Sequence, residues 1–151
     1  MAEDASLFSL RDARASDMPY VDAYAYAEGM DVIPSEEGVR AAVNADDVPV
    51  GFLRIQRGRN GVAHVNPVVT CATWRGFGVG RALVEEALSR EGELRLVARG
   101  ASVPFYEALG FSPIPWEAVD LTVVDDCDGC EMREECCPRP MGKRLVEGNA
   151  G

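Results

Sequence analysis

The chain is short of lysine, histidine and aromatic residues, and it has no long apolar run. Lys143 is the only lysine, so fourteen of its fifteen Lys and Arg residues are arginine, set against twenty-five Asp and Glu for a net charge of -10. Phosphate contact needs clustered cations, so this balance argues against a nucleic-acid or anionic-membrane partner. The same acidic, lysine-poor make-up suits concentrated salt, where charges are screened over about 3 Å at 1 M. An ordinary acidic soluble protein is the alternative. No apolar stretch approaches the roughly 20 residues that cross a bilayer, and Met1 to Leu10 lacks the basic start and apolar middle of a signal peptide. A soluble cytoplasmic protein is the expectation. With one histidine, His64, imidazole chemistry has a single candidate.

What is present is enough for one core. The 151 residues are 47% hydrophobic, which suits one domain better than two. Leu7 to Asp12 reads as a strand, and Ser16-Asp17 caps a helix carrying Met18, Val21, Tyr24 and Ala25. Ser35-Glu36-Glu37 predicts a second helix with Val39, Ala42 and Val43 on one face. Val48 to Gln56 and Gly61 to Thr70 read as strands joined by a hairpin loop from Arg57 to Gly61. Val79 to Ser89 returns to helical spacing, and Glu93 to Ala98 is a short buried strand. Ser102 to Leu109 is a brief helix with Pro104 in its first turn and Gly110 past its end. Phe111 to Ile114 and Ala118 to Val124 make a last pair of strands, and the tail from Asp125 onward is polar, Cys-rich and expected to be irregular. This order gives an α+β fold around a mixed, mostly antiparallel sheet, with one parallel pair across the Val79 to Ser89 helix.

A strand ending at Thr70, then Gly76, Gly78 and Gly80, then a helix, presents backbone N–H groups at the positive end of that helix. Such a loop binds anions, with glycine allowing a pyrophosphate close to the backbone and Arg75 and Arg81 adding donors. Tight turns also use glycine for their own geometry, and that is the alternative. No Gly-Lys-Ser or Gly-Lys-Thr ending is present, so a triphosphatase loop is unsupported, and the glycine spacing does not fit the dinucleotide fingerprint.

Arg75-x-x-Gly78-x-Gly80 after a strand, with Ala82-Leu83-Val84 opening a helix, resembles the coenzyme A signature of the GNAT N-acetyltransferases. The later segment Phe105-Tyr106-Glu107-Ala108-Leu109-Gly110-Phe111 is similar to that family's next helix. The resemblance covers about Leu7 to Val124. It implies an acetyl-CoA-binding domain over residues 1–124, helices on both faces of the sheet and a splayed parallel pair at the cofactor. It further implies that Val68, Val69 and Thr70 bond the pantetheine arm through their backbone, that Arg75, Gly76, Phe77, Gly78, Val79, Gly80 and Arg81 hold the pyrophosphate, and that Tyr106 protonates the departing thiolate. Arg99 stands where many relatives have asparagine, and Ala72 replaces a frequent proline.

The expected activity is direct transfer of acetyl from acetyl-CoA to an amine, small molecule or protein, in a ternary complex. A non-catalytic CoA-binding, regulatory or metal- or redox-sensing module is the alternative. A homodimer is compatible with either. For a base that deprotonates the acceptor, His64 is the candidate, relaying through water, with Asn66 on the same strand face; a hydrogen-bonded sheet residue is the competing view of His64. The acceptor is expected near Tyr24, Tyr26, Glu28 and the loop before Trp116. In residues 125–151, Cys127-x-x-Cys130 and Cys136-Cys137 form a candidate metal set. The Cys-x-x-Cys pair suits zinc, but the spacing to Cys136-Cys137 is tighter than in common zinc ribbons and adjacent cysteines strain joint coordination, so a three-Cys site with another ligand such as His64 is the variant. An iron-sulfur cluster uses the same ligands, and a redox pair or unliganded thiols is the alternative.

Overall fold

The computed structural model describes residues 7–124 and 133–145. Seven strands form one mixed sheet: β1 (Ser9–Asp12), β2 (Val39–Val43), β3 (Pro49–Arg57), β4 (Ala63–Thr70), β5 (Glu93–Ala98), β6 (Ser112–Pro113) and β7 (Arg139–Arg144), in the order β1-β2-β3-β4-β5-β7-β6. The helices are α1 (Met18–Ala27), α2 (Val79–Glu91), α3 (Val103–Ala108) and a short α4 (Arg133–Cys136). The chain folds into two compact units that do not follow its order. Among the described residues, the first holds 7–55 and 67–84, and the second 56–66, 85–124 and 133–145.

In the first unit, Val21 and Ala25 of α1 meet Val39, Ala41, Val43, Phe52 and Val69 of the strands, with Met18, Tyr24 and Met30 packed around them. The helix expected from Ser35 is instead a turn followed by β2. Ser35 Oγ does accept a backbone N–H, that of Glu37 at 3.2 Å, but the bond closes a local turn. Gly38 then takes φ +76, and a Cβ there would lie 2.7 Å from Ile55 O. Four of the five residues of β2 are buried, and the strand is paired with β1 on one edge and β3 on the other. Burial on both sides outweighs the helical spacing of Val39, Ala42 and Val43.

In the second unit, β4 and β5 run parallel, pairing Ala63 with Leu94 and His64 with Arg95. Farther along β4, Pro67 lacks the N–H that a ladder bond requires. Leu94, Leu96, Leu109, Phe111 and Met141 are buried. Two expectations fail in this unit. Residues expected to form a strand from Ala118 to Val124 form a single 3-10 turn, Trp116–Ala118, and then a turn built on Asp120. The tail, expected to be irregular, supplies β7, which pairs antiparallel with all six residues of β5 from Ala98↔Arg139 to Glu93↔Arg144. Pro138, Pro140 and Gly142 hide that strand from any pattern of alternation. Gly142 is there for space, since a Cβ would sit 3.3 Å from Leu94 O.

Candidate active site

In the first unit, the end of β4 is fixed to β3 by Cys71 N–H donating to Val50 O at 2.9 Å. Val69 is buried, and Val68 and Thr70 are half-buried. A 3-10 turn, Ala72–Trp74, leads into the loop, where Gly76 has φ +89 and Gly78 has φ +83. These are left-handed conformations that favour glycine, and added Cβ atoms would meet open space. Backbone conformation is therefore what requires glycine at both positions, and it leaves the loop accessible. The first intrahelical bond of α2 runs from Ala82 N–H to Gly78 O at 2.9 Å, so the N–H groups of Gly78, Val79 and Gly80 have no acceptor within the helix. Those donors and the helix dipole make an anion site.

Val79 is 1% exposed and anchors the loop. It packs on Gly51 of β3, where a Cβ would come 2.8 Å from Val79 Cγ1 and 2.9 Å from Val69 O. Gly51 is a site residue that the sequence reading missed. A glycine inside an otherwise apolar strand was the available signal. Arg75 is already engaged: it forms an ion pair with Glu28 and points its Nε at Thr70 O, 3.4 Å away. It ties the loop to the end of α1. Tyr24 donates its hydroxyl hydrogen to Pro49 O at 2.7 Å, and burial, aided by the neighbouring Cys71, pushes the phenol up to about 12. Tyr26 of the same helix is 80% exposed.

In the second unit, α3 carries Tyr106. Its ring is buried, edge-on to Phe105 at 4.9 Å and to Phe111 at 5.5 Å. Burial raises the phenol well above its ordinary value, so it stays protonated. Gly110, at φ +93, ends the helix, and a Cβ there would run into the Lys143 side chain, whose Nζ donates to Leu109 O at 2.8 Å.

His64 is fully buried, and both ring nitrogens are used. Nδ1 lies 2.9 Å from Val62 O, and Nε2 accepts the Asp120 N–H at 3.1 Å. This pattern assigns the neutral tautomer with the proton on Nδ1. No nitrogen remains to relay a proton or to bind a metal, so the proposed base role and the suggested fourth-ligand role are both withdrawn. His64 instead orders the turn at Asp120. That carboxylate accepts from Arg59 N–H and from the N–H and hydroxyl of Thr122, at 2.9 and 2.6 Å, and is held well below the usual carboxylate range by these bonds. Gly58 gives the cluster room, since a Cβ would lie 2.9 Å from His64 Cε1. Asn66, placed on the His64 face in the sequence reading, donates to Gln56 Oε1 at 3.0 Å and to Val123 O.

A cavity of about 800 Å³ in this unit is lined by Val103, Pro104, Glu107, Trp116, Cys137 and Arg139 among others. Cys136 and Cys137 are free thiols, and Cys137 donates to Glu134 O at 2.9 Å. Cys127 and Cys130 lie outside the described residues. Among the described residues, no three His, Cys, Asp or Glu side chains are grouped to hold a metal.

Residues 37–113, about half of the chain, match the model of the acetyltransferase (GNAT) domain. The chain belongs to the GNAT acetyltransferases. No protein of curated function matches the sequence significantly. Among solved structures, the GNAT fold is shared with Rv2747 from Mycobacterium tuberculosis, solved in complex with CoA and NLQ. That match has 16% identity and a TM-score of 0.71, and it covers 91% of this chain and 99% of that one. Ard1 from Thermoplasma volcanium, also 16% identical, gives a TM-score of 0.69 over 93% of this chain and 99% of its own. Arabidopsis thaliana Naa50, in complex with the bisubstrate analogue CoA-Ac-MVNAL, is 16% identical with a TM-score of 0.60 over 92% and 99%. This GNAT chain has the mixed sheet and the parallel β4/β5 pair that were expected, while two of its seven strands, β2 and β7, were not.

Proposed function

We propose that this GNAT chain transfers the acetyl group of acetyl-CoA directly to a primary amine. The observation that carries the reading is the loop between β4 and α2, two left-handed glycines followed by outward N–H donors at a helix start. In this reading Gly76 to Arg81 take the pyrophosphate and the backbone of Val68, Val69 and Thr70 takes the pantetheine arm. Rv2747 and Naa50, whose structures hold CoA or a CoA conjugate, lend support.

The neutral amine attacks the thioester carbonyl carbon. The carbonyl π electrons move to oxygen, the now positively charged nitrogen gives up a proton to water, and the tetrahedral intermediate collapses by breaking the C–S bond. The leaving sulfur takes a proton from the Tyr106 hydroxyl, and solvent returns one to the phenolate. A thiol of pKa about 8.5 is a moderate leaving group, and burial keeps the Tyr106 phenol protonated throughout the neutral range while making it a weaker acid, so it gives its proton only as negative charge builds on the sulfur. With both nitrogens of His64 engaged, deprotonation of the acceptor falls to water. Activity then rises with pH towards the acceptor's own pKa, about 8 for an α-amine and about 10 for a lysine-type amine, without a limb near 6.5.

For the acceptor, the cavity beside α3 is of ligand size, and Glu107 and Glu135 on its lining favour a cationic group. Free-thiol release from acetyl-CoA over a panel of amines tests the activity, and Glu107→Gln tests the cavity. The variant is expected to raise the KM for a cationic amine several-fold. An unchanged KM would remove the cavity from the reading.

A further inference from the structure

We propose that Phe77 is the platform on which the adenine of coenzyme A stacks, an inference that rests on the loop binding the coenzyme's pyrophosphate. Phe77 stands between the two left-handed glycines of the loop, neither of which has a side chain to cover it, and it remains 52% exposed. Leaving a phenylalanine half in water forgoes burial energy. The ring is nevertheless held in place. Trp74 packs against it at 5.2 Å with the planes tilted by 51°, and Phe8 braces Trp74 edge-on at 6.4 Å. The backbone at Trp74 is fixed by its amide N–H donating to Cys71 O at 3.0 Å. A braced aromatic surface therefore rises from the same six-residue loop as the pyrophosphate donors.

The group attached to the far side of that pyrophosphate is a nucleoside with a flat, uncharged heteroaromatic base. Every base has a π-face, and stacking on an aromatic side chain needs no charge. This matters in a chain of net charge -10, which is poorly suited to hold the nucleotide by long-range attraction. Phe77 would give the coenzyme a nucleotide anchor independent of the pantetheine contacts.

The test is calorimetric titration of the full chain with CoA and, separately, with 4′-phosphopantetheine, which lacks the adenosine half. Phe77→Ala should weaken CoA binding by roughly tenfold, in line with base–aromatic stacking. It should leave 4′-phosphopantetheine affinity unchanged, and Phe77→Trp should restore CoA binding. Unchanged CoA affinity in Phe77→Ala overturns the proposal, and so does an equal loss for both ligands, which would mark a change in loop shape. Failure of the unsubstituted protein to bind CoA would remove the cofactor reading itself. That failure is seen before any substitution is made and so is distinct from failure of the platform.

Discussion

The two compact units build their candidate site groups from different parts of the chain. In the first, the site residues act through backbone: glycines at φ +89 and +83, N–H groups at the start of α2, and side chains such as Val79 and Arg75 that hold the loop in shape. In the second, the polar groups that matter are buried side chains. One of them, Tyr106, is a phenol kept protonated by burial, and another, His64, is committed to structure. For His64, hydrogen bonds at both ring nitrogens decide that it serves architecture. The count of histidines in the sequence could not.

The largest effect should come from Tyr106→Phe, which keeps the packing against Phe105 and Phe111 and removes the proton. Steady-state thiol release should show kcat lower by roughly 100-fold or more with CoA affinity retained. A variant within twofold of wild type would take Tyr106 out of the chemistry. Next, Gly78→Ala forces a non-glycine residue to φ +83, at a cost of about 1–3 kcal/mol, which the loop can meet only by changing shape. Calorimetry should then show CoA and 4′-phosphopantetheine, which both place a phosphate on the loop, weakened alike by tenfold or more, while pantetheine, which carries none, changes little, which separates backbone anion binding from arm binding.

In the second unit, Asp120→Ala should lower Tm by several degrees at pH 7, because it strips acceptors from the Arg59 and Thr122 amides. The sign with pH follows from the depressed carboxylate. Its stabilisation is complete above the unfolded value of about 4 and is lost as pH falls through the lower, folded one. Melts from pH 7 towards pH 2 should therefore bring wild type and variant together, and a constant gap would contradict the account. The smallest effect on rate belongs to His64→Gln, expected to lower Tm while leaving the shape of the pH–rate profile unchanged. Loss of a limb near pH 6.5 would restore His64 as a base.

The motifs made the glycine loop legible as structure, because Gly76, Gly78 and the following helix are contiguous and those two glycines take left-handed backbone. The parallel pair and α3 were legible too, each marked by a short apolar run or by Pro104 and Gly110. What escaped depends on partners far away in sequence. Val39 to Val43 has helical spacing, yet it lies between two strands, and a window of five residues does not contain β1 or β3. β7 carries Pro140 and Gly142 and follows Pro138, and only its pairing with β5 makes it a strand. The turn from Asp120 looked like a strand because Val119 and Val124 are buried, while the fold-defining atoms there are polar. Gly51 was invisible as a site residue for the same reason, since its role is to admit Val79.

The account turns on whether this chain both binds and uses acetyl-CoA. The most direct measurement is release of free CoA thiol from acetyl-CoA across a panel of primary amines and peptide N-termini, run side by side for wild type and Tyr106→Phe. The account predicts thiol release that depends on the amine, yields the acetylated amine in equal amount and falls steeply in the variant. Saturable CoA binding with no amine-dependent release from any class would contradict it and leave a coenzyme-binding module without turnover.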